Sequence, residues 1–161
     1  MSRVFVTGIG FITSIGNDCA SVEASLRGLR HGIERHPEMT GAKNSPIHLL
    51  GTIKEFDCYH IDWEDWTFPD RYRTKREIMR GMSPHAFFSY CATLQALENA
   101  GFERDALANP ESGLFTASSG SSMIIHQQLI RLETLGPMRN HPLGVVQGAV
   151  GTVSYNLDAA F

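Results

Sequence analysis

The chain has 161 residues, 42% hydrophobic and 19% charged, a balance that fits one globular domain and excludes a disordered segment. A net charge of −3 with scattered Lys and Arg leaves no basic face for nucleic acid or an anionic membrane. No apolar run reaches the ~18 residues that span a bilayer, the amino terminus lacks a signal-peptide core, and three cysteines without framework spacing suit a reducing cytoplasm.

Val4 to Thr7 alternates β-branched and aromatic residues and predicts a buried strand, which the chain leaves through Gly8 and Gly10. The spacing Gly8-x-Gly10-x-x-Thr13 approaches a dinucleotide fingerprint, but Thr13 stands where the third glycine belongs and no helix opens there. The chain instead runs on to a turn at Gly16-Asn17-Asp18. Asn17 or Asp18 caps a first helix with Val22, Leu26 and Leu29 on one face and Gly32 as its stop. Glu34 to Pro46 is turn-rich and reads as a surface loop, and Ile47 to Phe56 as a second strand. Asp57 to Pro69 carries Trp63 and Trp66 without a clean period and is expected to be irregular.

Arg71-Tyr72-Arg73-Thr74-Lys75-Arg76 is the densest basic run and reads as a solvated helix start or loop. Ser83-Pro84 then announces a long helix: Ser offers a capping oxygen, and Pro fits the first helical position, where its missing N–H costs nothing. Phe87, Tyr90, Cys91, Leu94 and Leu97 fall on one helical face, and Gly101 supplies a left-handed stop. Ser112 to Ala117 predicts a third strand. Ser121 to Leu135 predicts an amphipathic helix with Met123, Ile125, Leu129, Leu132 and Leu135 apolar. Gly144 to Ala160, rich in Gly, Ala and Val, predicts a tightly packed helix buried between layers.

Candidate reactive groups are few. Cys91 lies mid-helix on an apolar stripe, where burial raises a thiol pKa and leaves it inert. Cys19 begins a helix whose dipole favours thiolate, but no histidine is near in sequence. Cys58-Tyr59-His60 lacks the second ligand pair that zinc requires, so no metal site is expected. Among the histidines, His85 sits in the first turn of the long helix, His126 on a solvated face, and His141 in a loop set by Pro142. No Ser-His-Asp set follows from spacing. The serine loop Ser118-Ser119-Gly120-Ser121-Ser122 opens a helix, so a phosphate cradle stays open as a reading beside close backbone packing.

Val6-Thr7-Gly8-Ile9-Gly10-Phe11-Ile12-Thr13-Ser14-Ile15-Gly16-Asn17, Ser25-Leu26-Arg27 with Gly32-Ile33, Gly51 to Asp57, Arg80 to Phe102, Gly113 to Gly120, and Pro142 to Phe161 follow one another in order. In that order and spacing they resemble the amino-terminal portion of the β-ketoacyl synthases, the condensing enzymes of fatty-acid and polyketide assembly. The resemblance covers residues 1–161 as one partial domain. It implies an α/β fold: the amino-terminal half of a thiolase-like layered αβαβα architecture, with a mixed sheet flanked by helices. It implies decarboxylative Claisen condensation of an acyl thioester with malonyl-acyl carrier protein, and no cofactor. The family's nucleophilic cysteine, two histidines and lysine would lie beyond Phe161. The chain alone is therefore expected to hold no catalytic residue and to be inactive.

The same resemblance implies acyl carrier protein as partner, with the basic run near Arg71–Arg76 available to its acidic surface, and a homodimer or a heterodimer with a ketosynthase subunit. Gly120, Gly144 and Ala149 match positions that wall the acyl pocket, while Ser119 and Ser121 replace glycines expected in that loop. Two other readings stay open, a non-catalytic partner subunit like the chain-length factors and a nucleotide-binding module. Half of a two-part fold also implies an apolar face left exposed, hence self-association on sizing rather than a monodisperse monomer.

Overall fold

The described residues, 3–41 and 43–161 of this computed structural model, form seven α-helices and one two-stranded sheet. In chain order these are α1 (Cys19–Arg27), β1 (Ile33–Arg35), α2 (Pro37–Gly41), β2 (Leu49–Gly51), α3 (Arg76–Met79), α4 (Pro84–Ala100), α5 (Ser122–Leu135), α6 (Gly144–Gln147) and α7 (Thr152–Ala160). Strands β1 and β2 pair antiparallel, with Glu34 opposite Leu50.

Helix α4 organises the rest. Pro84 fills its first position and Gly101, at φ +71°, ends it in the left-handed conformation that a residue without Cβ adopts freely. Ser83 precedes the helix but its hydroxyl makes no capping bond; it lies 3.3 Å from His85 Nε2 instead. Phe87, Tyr90, Cys91 and Leu97 are buried as the helical spacing requires. Around Phe87 gather Phe56, Trp66 and Phe68, the last meeting it edge-on with ring centres 4.6 Å apart. Met79 and Met82 close one end of this core, and Val153 and Leu157 of α7 cover another side.

The irregular stretch supplies much of that core despite its lack of period. An isolated bridge between Asp57 and Thr67 pinches residues 57–67 into a closed loop. Trp66 tucks inward, its indole N–H donating to the His60 carbonyl at 2.7 Å. Arg104 lies 5.3 Å from the ring centres of both Tyr90 and Phe161, tying the end of α7 to α4.

The expected first strand is a correction. Residues 3–10 are extended but form no ladder with any described strand, and Val4 is 95% exposed rather than buried. Helix α4 provides the contacts instead. A Cβ on Gly8 would fall 2.0 Å from the Ala96 carbonyl oxygen, and one on Gly10 would fall 1.9 Å from that of Ala92. Only bare backbone fits so close. Gln95 then bonds the Phe11 backbone on both sides, accepting from its N–H at 3.1 Å and donating to its carbonyl at 3.2 Å. Its two amide hydrogens are shared among that carbonyl, the Asn17 carbonyl and the Tyr72 hydroxyl. Asn99 accepts from the Ile9 N–H in the same way.

Four further boundaries differ from the sequence reading. Helix α1 is capped by Asp18, whose carboxylate accepts from Ser21 N–H, but it ends at Gly28 rather than Gly32. Leu29 takes the left-handed turn at φ +50° and is 91% exposed, and Leu26 is exposed too; Val22 alone of the three is buried. Gly32 instead permits a close approach to the first loop, since a Cβ there would lie 2.3 Å from the Ser14 carbonyl oxygen. The loop expected over Glu34–Pro46 contains part of β1 and α2, and the second strand shrinks from Ile47–Phe56 to Leu49–Gly51. Ser112–Ala117 is extended without a ladder, leaving Phe115 97% exposed. In both extended segments the backbone lacks a neighbouring strand among the described residues, and a strand exists only through its ladder.

The fourth is the helix expected over Gly144–Ala160, which breaks at Gly148–Gly151 into α6 and α7. The Gly148 carbonyl is taken by Ser121 N–H at 2.9 Å, which withdraws it from the helical ladder. Helix α5 keeps its expected span, with Ser121 as cap. Its buried residues are Ile124 and Gln128, whereas Met123, Ile125, Leu129, Leu132 and Leu135 stay largely exposed beside Val145 and Val146. Ile125 of that face rests against Gly148, and much of the remainder stays open to solvent.

Candidate functional site

The three small residues expected at a pocket wall sit around the junction of the serine loop, α5 and α6. Gly120 has φ +71°, and a Cβ on it would lie 2.6 Å from the Gly148 carbonyl oxygen and 3.4 Å from the Ala149 carbonyl carbon. The loop therefore rests directly on the turn that carries Ala149, itself exposed. Gly144 lies at the other end of α6, buried under α5: a Cβ there would strike the Gln128 amide at 2.5 Å. Gly120 and Ala149 are thus brought together, and Gly144 packs separately through Gln128.

The serine hydroxyls serve their own loop. Ser118 accepts from Gly120 N–H at 3.0 Å, and Ser121 accepts from Ile124 N–H at 3.3 Å as the cap of α5. Likewise, Gly8 and Gly10 turn their open sides to α4 carbonyls, which occupy the room that a pyrophosphate would need.

None of the three thiols has the surroundings of a nucleophile. Cys58 and Cys91 are buried in the aromatic core, and burial pushes the Cys58 thiol up to about 12 and the Cys91 thiol higher still. Cys19 donates to the Ile9 carbonyl at 3.3 Å. Cys58 is buried while His60 is exposed, and among the described residues no three His, Cys, Asp or Glu gather as metal ligands.

The Cys58 shift has a measurable sign. Its thiol titrates near 9.0 when unperturbed and about 12 in the fold, so folding favours the protonated form. Its contribution is complete below pH 9 and is withdrawn as pH rises toward 12. The urea midpoint should fall across that window by more in the parent than in Cys58→Ala. Equal slopes would refute the assignment.

The basic run is dispersed. Arg71 lies over the Tyr72 ring at 4.6 Å, Arg73 pairs with Asp70, and Arg76 pairs with Glu64 at 2.9 Å. His85 is held below its usual pKa by burial. His141, expected in a loop, precedes α6 and stands 3.3 Å from Arg80. It borders a cleft of about 480 Å³ that no spacing in the sequence announces, because its walls come from residues 61–64, α3, α5 and α6.

Comparison with known proteins places this architecture. The model of the β-ketoacyl synthase amino-terminal domain matches residues 1–160. The chain is 35% identical over 139 residues to 3-oxoacyl-[acyl-carrier-protein] synthase 1 of Haemophilus influenzae, covering 85% of this chain and 30% of that protein. It is 31% identical over 163 residues to synthase 2 of Synechocystis, covering 98% of this chain and 36% of that one. The chain thus spans about a third of the length of these relatives. A crystal structure of a β-ketoacyl synthase from Burkholderia phymatum superposes with a TM-score of 0.75 at 24% identity, over 99% of this chain and 36% of that one. The likeness establishes the thiolase-like α/β fold class. The chain belongs to the β-ketoacyl synthase family and corresponds to its amino-terminal domain.

Proposed function

We propose that this chain is the amino-terminal platform of a β-ketoacyl synthase, which joins an acyl thioester to malonyl-acyl carrier protein with loss of carbon dioxide. One observation carries the reading: the family's amino-terminal domain is matched over residues 1–160. The chemistry needs a thiolate to take the acyl group, and the resulting thioester is attacked by the carbanion that decarboxylation leaves. Cys58 and Cys91 are too buried to ionise near neutral pH, and the Cys19 thiol is engaged with a backbone carbonyl. The nucleophile is therefore supplied from outside these residues, and the chain by itself is inactive.

Acyl carrier protein is the partner in this reading, as the names of the relatives state for those proteins. A second ketosynthase subunit covers the exposed face of α5 and α6, and the setting is cytoplasmic. No helix among the described residues is long and apolar enough to cross a membrane. Gly120, Gly144 and Ala149 serve as pocket wall, where any added side chain takes space from a bound acyl group.

The coding sequence past Phe161 tests this reading. A strand-to-helix elbow bearing cysteine, followed by two histidines and a lysine, is expected in the same frame or in a neighbouring gene. A continuation in which that cysteine is replaced would favour a chain-length-factor-like subunit and refute the catalytic assignment.

A further inference from the structure

We propose that His141 is a proton-operated latch: its neutral ring holds α6 against the residues that join α3 to α4, and a proton on the ring lets α6 go. The inference does not depend on the condensing reading.

Helix α6 has little of its own to keep it in place. It is four residues long, a length at which a helix stands only through its contacts, and Val145 and Val146 are exposed. Two polar anchors hold it. At its end, Gln147 donates to the carbonyls of Arg80 at 3.1 Å and Met82 at 3.3 Å. At its entry stands His141, whose carbonyl accepts from the Gly144 N–H at 2.9 Å. The His141 Nδ1 lies 3.2 Å from the Leu143 nitrogen, and its Nε2 lies 3.3 Å from an Arg80 guanidinium nitrogen.

Both of these ring neighbours are donors only, a backbone N–H and a guanidinium. A neutral imidazole carries one ring proton, so one of its nitrogens accepts from its neighbour whichever tautomer is present. An imidazolium carries a hydrogen on each nitrogen and accepts from neither. Protonation therefore removes the ring's hydrogen bond in either tautomer and sets two positive groups 3.3 Å apart.

The charges facing the ring from its neighbours are unequal. Arg80 and, from α5, Arg131 repel a proton, while Asp62 of the 57–67 loop attracts one. Asp62 is already engaged by Arg131 through both carboxylate oxygens, at 2.9 and 3.0 Å. Glu64 and Arg76, which line the same cleft, pair with each other. Burial, and next the Arg80 charge, hold the ring below its ordinary 6.5. The latch is thus complete above pH 6.5 and is lost as pH falls through the lower value of the folded chain. Release reaches the serine loop as well, because the Gly148 carbonyl that follows α6 accepts from the Ser121 N–H and supports Gly120.

Hydrogen exchange of the 161-residue chain, followed by NMR and expressed as protection over the free-peptide rate, tests this at about pH 7.5 and about pH 5. The amides of Gly144, Gln147 and Gly148 should lose about fivefold in protection, the worth of one hydrogen bond, while those of Cys91 to Leu97 in α4 keep theirs. His141→Gln keeps an acceptor without a titrating ring, and its α6 protection should be the same at both pH values. That variant also separates the latch from His85, the other ring that burial holds low, which lies on α4. Arg80→Met, lacking the facing charge, should lose less protection than the parent. Unchanged α6 protection in the parent, an equal loss in His141→Gln, an undiminished loss in Arg80→Met, or a loss shared evenly by α4 would each overturn the latch.

Discussion

Gly10→Ala should remove a large share of the stability of this chain. The added methyl would sit 1.9 Å from the Ala92 carbonyl oxygen and 2.9 Å from Gln95 Cβ, distances that no atom tolerates. Either the amino-terminal segment lifts off α4 or the helix shifts. Lifting off breaks the paired bonds between Gln95 and Phe11 and leaves a buried amide facing carbonyls it no longer reaches. Overpacking and lost hydrogen bonds together amount to about 3–5 kcal/mol, against a total domain stability of about 5–15 kcal/mol. Gly151→Ala is the matched control: it has φ −77° and nothing within 4 Å of an added Cβ. It should be neutral or stabilising by up to about 1 kcal/mol. Urea titration followed by circular dichroism separates the two, and similar midpoints for both variants would refute the close-approach argument.

Phe87→Ala should be comparably damaging for the opposite reason, an empty space rather than a clash. Phe87 is fully buried, with Phe56, Trp66, Phe68 and Tyr90 around it. Removing it leaves a cavity that these rings cannot fill without losing their own contacts, at a cost of about 3–5 kcal/mol. Phe115→Ala, on a side chain exposed to solvent, should change stability by less than about 0.5 kcal/mol. Thermal melts of the three proteins decide this: a Phe87→Ala variant that melts with the parent would place the core elsewhere.

These two positions mark what the sequence could and could not disclose. Helix α4 was legible because its signals are local: Pro84 at the start, an apolar stripe through Leu97, and Gly101 at the end. Gly8 and Gly10 were legible as positions that exclude a side chain, but the reason lies far along the chain, in the carbonyls of Ala92 and Ala96. The strand expected over Val4–Thr7 rests on alternation, a pattern that reports affinity for a sheet and not the presence of neighbours, and Ser112–Ala117 likewise lacks the neighbour that would make it a strand. The break at Gly148–Gly151 depends on one carbonyl diverted to Ser121, which no composition could reveal.

The site followed the same division. That Gly120, Gly144 and Ala149 are small was visible, and so was the inertness of Cys91. That Gly120 rests on the turn of Ala149, while Gly144 lies beneath Gln128, required the folded chain. The cleft of Arg80, Gln128 and His141 left no mark in the sequence, because each residue alone reads as an ordinary polar surface group.

Acyl transfer tests the central claim most directly. The purified chain is incubated with acyl carrier protein bearing a labelled acyl thioester, together with malonyl-acyl carrier protein, and then analysed by mass spectrometry. The account predicts that Cys19, Cys58 and Cys91 all remain unacylated and that no 3-oxoacyl product forms. An acyl adduct on any of these cysteines, with product accumulating from the chain alone, would contradict it.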